Sequence, residues 1–287
     1  MGYTAKIENA NGEALTLTGK EAIYQVLDIS GLNPPTAQIN TSTIVGLDGA
    51  VFNSAKLETR ELVIQIRING DVESNRLALY KYFKTKEPCT FYYSNSHLDV
   101  SIDGYVSAIE CGLFEQSEIA QISILCTFPY FAALEQIIVD SSGVNPLFTF
   151  PFSIDEDAPV VISSLTNYDA IVATNPAESE TGCEIIIDVY DTVTKLELEN
   201  EATAETMTLN YSFQAGDRIT INTAKGKKSI KLTRSGVTTS IFSALQSGSK
   251  FIQLVSGANV IEYKVNNLQG GNEVYIEMRY HALYRGV

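Results

Sequence analysis

The chain has no tryptophan, and among its 287 residues there are only two histidines and four cysteines. His97 and His281 are far apart in sequence, and Cys89, Cys111, Cys126 and Cys183 form no CxxC pair. Zinc chemistry is left almost without ligands, and the cysteines read as free buried thiols rather than a disulfide framework. Charge is scarce as well: 19% of residues are charged, with a formal net charge of −14. An acidic balance opposes a grip on nucleic-acid phosphates, which takes clustered Lys and Arg, so no direct nucleic-acid binding is expected. No stretch approaches the ~18 consecutive apolar residues of a membrane span, and MGYTAKIENANGEAL lacks a signal-peptide core. Neither a membrane nor general secretion is expected. There is no GxSxG elbow, no phosphate-binding loop and no HExxH. The acidic groups Asp155-Glu156-Asp157, Asp99 with Asp103, and Asp188 with Asp191 lack calcium-loop spacing and read as solvated carboxylates. The chain is therefore not read as an enzyme: no catalytic residue, metal site or cofactor is expected.

What is present is sheet. Alternation at period two runs through Met207-Leu209-Tyr211-Phe213, Ile219-Ile221 and Ile230-Leu232, placing every second side chain on one face. Glycine turns at Gly216, Gly226, Gly236, Gly248 and Gly257 recur at the roughly 8–12-residue spacing of an antiparallel sandwich or jelly roll. The first third is also strand-rich, at Ala14–Leu17, Ala22–Ile29 and Leu62–Ile68, with a long excursion between the last two. After the Asn69-Gly70-Asp71 turn the period changes. Val72, Leu79 and Phe83, with Arg76 and Tyr80 alongside, predict one amphipathic helix over about residues 72–84. It is read as a lid on a sheet, with Arg76, Leu79, Tyr80 and Phe83 as the residues that would face a partner subunit if the helix docks. Strands resume at Cys89–Tyr93, Val100–Val106 and Ala120–Cys126, and Pro129 marks a strand end. The fold class is mainly β, with a first domain over 1–134 and a second, sandwich-like domain over 135–287.

Charge is blocked along the second domain. Fifteen acidic residues and one basic residue lie between Glu135 and Glu205, whereas Arg218 to Ile261 holds seven basic residues and no acidic one. If the blocks occupy opposite sides of the domain, like copies would dock head to tail. Arg218, Lys225, Lys227, Lys228, Lys231 and Arg234 are the candidate basic face. A jelly roll also raises a second reading, a carbohydrate-binding adhesion module for a bacterial cell-wall saccharide. Its aromatic platform would be Tyr263, Tyr275, Tyr280 and Tyr284.

The order of short motifs resembles the distal tail protein family of siphophages and phage-tail-like particles. In the first part these are Gly31-Leu32-Asn33-Pro34-Pro35, Asp48-Gly49, Arg60-Glu61-Leu62-Val63-Ile64, the Asn69-Gly70 turn, the Arg76 helix and Phe128-Pro129-Tyr130-Phe131. In the second they are Phe150-Pro151-Phe152, Leu198-Glu199-Asn200, Ala215-Gly216-Asp217, Ile221-Asn222-Thr223, Gly248-Ser249, Gly257-Ala258-Asn259 and Tyr284-Arg285-Gly286-Val287. The resemblance implies an N-terminal belt domain, a β-sandwich with one helix, that forms a homohexameric ring. It also implies a C-terminal galectin-like or carbohydrate-module-like sandwich. Its implied partners are the tail tube protein, a tail-associated tip protein and a receptor-binding protein. The implied place is the virion tail tip, assembled in the bacterial host cytoplasm, and the implied role is structural.

Overall fold

Alternating apolar positions become strands almost wherever they occur. The computed structural model describes residues 2–17, 23–112, 118–146, 163–167, 170–266, 268–269 and 272–287. The aromatic run Leu147–Phe152 and the Asp155–Asp157 carboxylates lie outside them. The described chain divides into two units, Met1–Glu135 with Leu283–Val287, and Gln136–Ala282.

Unit 1 opens with β1 (Thr4–Asn9), β2 (Ala14–Thr16), β3 (Tyr24–Ser30), β4 (Ala37–Ser42), β5 (Val51–Leu57) and β6 (Arg60–Ile68). Helix α1 (Val72–Tyr82) follows, then β7 (Pro88–Ser94), β8 (Asp99–Cys111), β9 (Ile119–Cys126) and β10 (Phe131–Ala133). Seven strands form one antiparallel path in the order β2-β1-β7-β8-β9-β6-β3, and β10 pairs with β8. In β6 the alternation of Arg60, Leu62, Ile64, Ile66 and Ile68 sends those side chains inward and Glu61 and Arg67 outward. Each large apolar side chain buried this way contributes about 1.5–3 kcal/mol. Strand β8 pairs with β7 through its first half and with β9 through its second, with a register shift between Val106 and Ala108 in the β9 pairing. A bulge there lets one strand turn across the sheet. Asp71 caps α1, its side chain accepting from Ser74 N, and Leu79 and Phe83 enter the core. Among the described residues no helix is long and apolar enough to cross a membrane.

Unit 2 contains β11 (Ile137–Asp140), β12 (Ser142–Pro146), β13 (Ser163–Asn167), β14 (Ala170–Asn175), β15 (Glu184–Val189), β16 (Val193–Asn200) and β17 (Glu205–Phe213). It continues with β18 (Arg218–Asn222), β19 (Ser229–Arg234), β20 (Val237–Ser240), β21 (Gly257–Val265), β22 (Leu268–Gln269) and β23 (Val274–Tyr280). One sheet runs β11-β23-β15-β18-β19-β20; a second runs β14-β21-β16-β17, with β22 on β21. Ile185, Ile187, Ile219 and Ile276 from the first sheet share one core with Leu196, Leu198, Met207 and Ile261 from the second. This is a β-sandwich. Buried asparagines tie its irregular segments to the strands: Asn200 Nδ2 donates to Gln253 O at 2.9 Å and Asn259 Oδ1 at 3.0 Å, and Asn175 Nδ2 donates to Leu254 O at 3.0 Å.

The sequence reading carried the second domain through to Val287. The structure instead returns the chain to unit 1, where β24 (Leu283–Tyr284) pairs antiparallel with β10 through Phe131↔Tyr284 and Ala132↔Leu283. Free backbone groups on β10 recruit the returning strand. The four cysteines are free, and burial pushes the thiols of Cys89, Cys126 and Cys183 up to about 12, which leaves them inert.

Candidate assembly surfaces

Strands β4 and β5 form a two-stranded sheet of their own. They pair from Ala37↔Leu57 to Ser42↔Val51, with a register shift between Asn40 and Thr41. Cross-strand side-chain bonds brace the ladder: Asn40 Nδ2 donates to Ser54 Oγ at 3.0 Å, and Asn53 Nδ2 to Ser42 Oγ at 2.6 Å. In the loop that joins them, Gly46 and Gly49 take φ of 86° and 90°, values that cost a glycine nothing. At the base, Glu58 N donates to Thr36 O at 2.9 Å. Nearly every residue of both strands is exposed. That surface includes Ile39, Ile44, Leu47, Val51 and Phe52, the last 62% exposed, and a wholly exposed Val45. A two-stranded hairpin is marginal in water by itself, and a hairpin exposing this many large apolar side chains suits a contact with another chain. We call this hairpin the arm. The sequence reading took residues 37–57 as an excursion and missed it; the signal was two short alternating runs around Gly46-Leu47-Asp48-Gly49.

The helix residues divide. Leu79 and Phe83 are core residues with 1% exposure, so they cannot form a docking face. They satisfy the apolar periodicity by packing inward. Arg76 pairs with Glu73 one turn away, and a hydrogen bond with Cys111 raises the Tyr80 hydroxyl above its usual pKa. Only Arg76 and Tyr80 of the four reach the surface.

The charge blocks of unit 2 are segregated in sequence and interleaved in space. Strand β15 from the acidic block lies beside β18 from the basic block, so Arg218 forks onto Asp188 at 2.6 and 2.8 Å. Lys225 pairs with Glu180. Arg234 holds the buried Asp217 through its Nε at 2.7 Å and gives a further bond to Ser212 O at 3.0 Å. Lys228 lies over the Phe251 ring, 4.9 Å from its centroid, while Lys227 and Lys231 are exposed. Antiparallel pairing thus brings members of the two blocks together at Arg218–Asp188, and Lys225–Glu180 is a second such pair among the described residues.

The tyrosine platform does not assemble either. Tyr263 is fully buried, and Tyr280 is buried with its hydroxyl donating to Thr174 O at 2.8 Å. Tyr275 is partly exposed, and burial together with Asp140 pushes its hydroxyl up to about 12. Tyr284 belongs to unit 1. Alternate positions on β21 and β23 face the core, which is where Tyr263 and Tyr280 go. Among the described residues no group of His, Cys, Asp and Glu is placed to hold a metal ion.

Comparison with known proteins follows this division. Residues 18–124 match the phage tail protein RIFT-related domain, and residues 177–283 match the siphovirus-type tail component, C-terminal domain. The fold is similar to SPP1 Dit, described as a paradigm of the hub adsorption apparatus in phages infecting Gram-positive hosts. The identity is 16% and the TM-score 0.65, over 98% of this chain and 99% of that one. It is also similar to a chain of the phage P2 baseplate in its activated conformation with calcium, at 11% identity and a TM-score of 0.52, over 98% and 99%. The strontium form of that baseplate gives 10% identity and a TM-score of 0.51, again over 98% and 99%. No curated protein sequence matches. Two β-rich units carrying these two domain signatures in this order define a siphovirus-type tail component. The chain belongs to the siphophage distal tail protein family.

Proposed function

We propose that this protein is the structural hub of a phage tail tip, and that unit 1 closes into a homohexameric ring through the arm. The arm carries the reading: six large apolar residues, Ile39, Ile44, Val45, Leu47, Val51 and Phe52, stand exposed on a hairpin that pairs with no other strand among the described residues. An arm on one side of a unit needs a different receiving surface on the next copy, and such a heterologous contact closes into a ring when the rotation permits. The ring would join the tail tube protein to the tail-associated tip protein. Unit 2 would carry a receptor-binding protein. The role is architectural and non-enzymatic, and the particle is assembled in the bacterial host cytoplasm. The likeness in fold to SPP1 Dit, a hub of an adsorption apparatus, supports the reading.

The test compares the wild-type chain with a Val45→Asp, Phe52→Asp double variant by mass photometry and negative-stain microscopy. Both side chains are exposed, so the variant should melt like the wild type. Expected are sixfold rings from the wild type, alone or with the tube and tip proteins, and monomers from the variant. A wild-type chain that stays monomeric under all those conditions, or a variant that assembles equally well, overturns the reading.

A further inference from the structure

One guanidinium gathers the base of the arm. Arg60 opens β6 just after the arm's second strand, and the loop Gly31–Pro35 leads into its first. The Arg60 side chain is buried, with 3% exposure. Its Nη1 donates to Gly31 O and, at 2.7 Å, to Asn33 O, both in that loop. Its Nε donates to Pro129 O at 3.0 Å and its Nη2 to Arg285 O. The group also lies 4.5 Å from the centroid of the Phe131 ring. Burying a guanidinium is costly, and a carboxylate is the usual compensation. Here backbone carbonyls from three separate stretches take its donors, which suits the fixed, many-armed geometry of Arg and not the single point of Lys.

The third stretch is the returning segment, and it is seated tightly. Val287 N donates to Leu32 O at 3.1 Å, and β24 is paired along β10. A Cβ on Gly286 would lie 2.9 Å from Pro34 Cδ and 3.1 Å from Leu32 O. A Cβ on Gly31, whose φ is +88°, would lie 2.2 Å from Glu61 O. The arm is therefore rooted in a loop pinned between β6 and residues made after all of unit 2.

We propose that Arg60 and Leu283–Val287 form a clasp that sets the pose of the arm, so that self-association depends on the segment returning from unit 2. This rests on reading the arm as the contact between copies. None of the clasp residues belongs to the arm's exposed apolar surface, so their role is positioning. A chain that has not completed unit 2 and its return has an arm with a loose root and does not compete for places in the assembly.

Full-length Gly286→Val and Arg60→Lys variants test this, read by hydrogen exchange and by mass photometry. Gly286→Val disturbs the clasp without touching the guanidinium; Arg60→Lys keeps the charge and loses the fork. In both, exchange over residues 31–36 and at Glu58 should accelerate at least about tenfold, with β9 unchanged and the assembled fraction reduced. Unchanged exchange at the arm base in Gly286→Val overturns the clasp. Equal acceleration in β9 overturns it too, because that is general loosening. Faster arm-base exchange with wild-type assembly overturns the coupling. A wild-type chain that never assembles sinks the ring reading and the coupling together, and wild-type arm-base exchange still reports the clasp separately.

Discussion

The Arg234 guanidinium holds Asp217 below the usual carboxylate range, and the backbone N–H of Gln214 adds to the effect. Asp217 is buried, whereas the Arg234 side chain is 38% exposed and partly screened. An aspartate in the unfolded chain titrates near about 3.9. Because the folded value lies lower, the pair's contribution is complete above that pH and is lost as pH falls through the folded value. Asp217→Asn should therefore cost about 1–2 kcal/mol near neutral pH, and the gap from wild type should close in acid. Denaturant melts stepped from pH 7 downward through the acid range check both halves, the gap narrowing as pH falls below about 3.9. A second contrast concerns two glycines. A Cβ at Gly104 would lie 2.5 Å from Ile124 Cγ2 and 3.0 Å from Cys126 Sγ, whereas one at Gly216 meets open space. Gly104→Ala should destabilise unit 1 by about 1–3 kcal/mol or more through overpacking. Gly216→Ala, with φ of +90°, should cost unit 2 about 1–2 kcal/mol of backbone strain. Thermal melts separate them.

Among the elements, the arm gives the most direct prediction. Its turn at Ile44–Gly49 should be the first site of limited proteolysis in the monomer and should become protected on assembly. Mass spectrometry of timed digests checks this. Strands β6, β9, β18 and β19 were legible because one face is buried, and alternation records that fact. The arm alternates too, but both its faces meet solvent, and alternation alone does not distinguish an unpartnered strand from a half-buried one. The helix was legible for the same reason as β6, since Leu79 and Phe83 repeat at four residues. The pattern names an apolar face without naming what covers it, so Leu79 and Phe83 fit a lid on a sheet and a partner contact equally well in sequence, and the structure places them in the core. Arg218 and Asp188 are 30 residues apart. Their pairing follows from strand register, which no local window contains. Arg60 is the extreme case, because one of its carbonyl partners, on Arg285, is 225 residues away.

At the scale of the molecule, unit 2 is an insertion between two paired strands of unit 1. Removing residues 136–282 and joining Glu135 to Leu283 through a short glycine linker should leave a unit that melts in one cooperative step. β10 and β24 already lie antiparallel, as a hairpin requires. Calorimetry checks this, and a product without a transition would show that unit 1 needs unit 2 to fold. Sequence placed the first crossing near residue 134 through its turn-rich stretch. The second crossing falls between Ala282 and Leu283, inside HALYR, with no glycine, proline or change of composition to mark it.

The paired strands also govern how tension would travel. A pull on unit 2 reaches unit 1 along two covalent threads, which leave β10 and β24 at the same end. Both strands are then drawn in one direction, so their ladder is neither unzipped nor sheared against itself. The load passes to the pairing of β10 with β8, at Ala132↔Ser101 and Ala133↔Val100, and to the Arg60 bonds. Such a tether divides force at its first step, where a single linker would bear all of it.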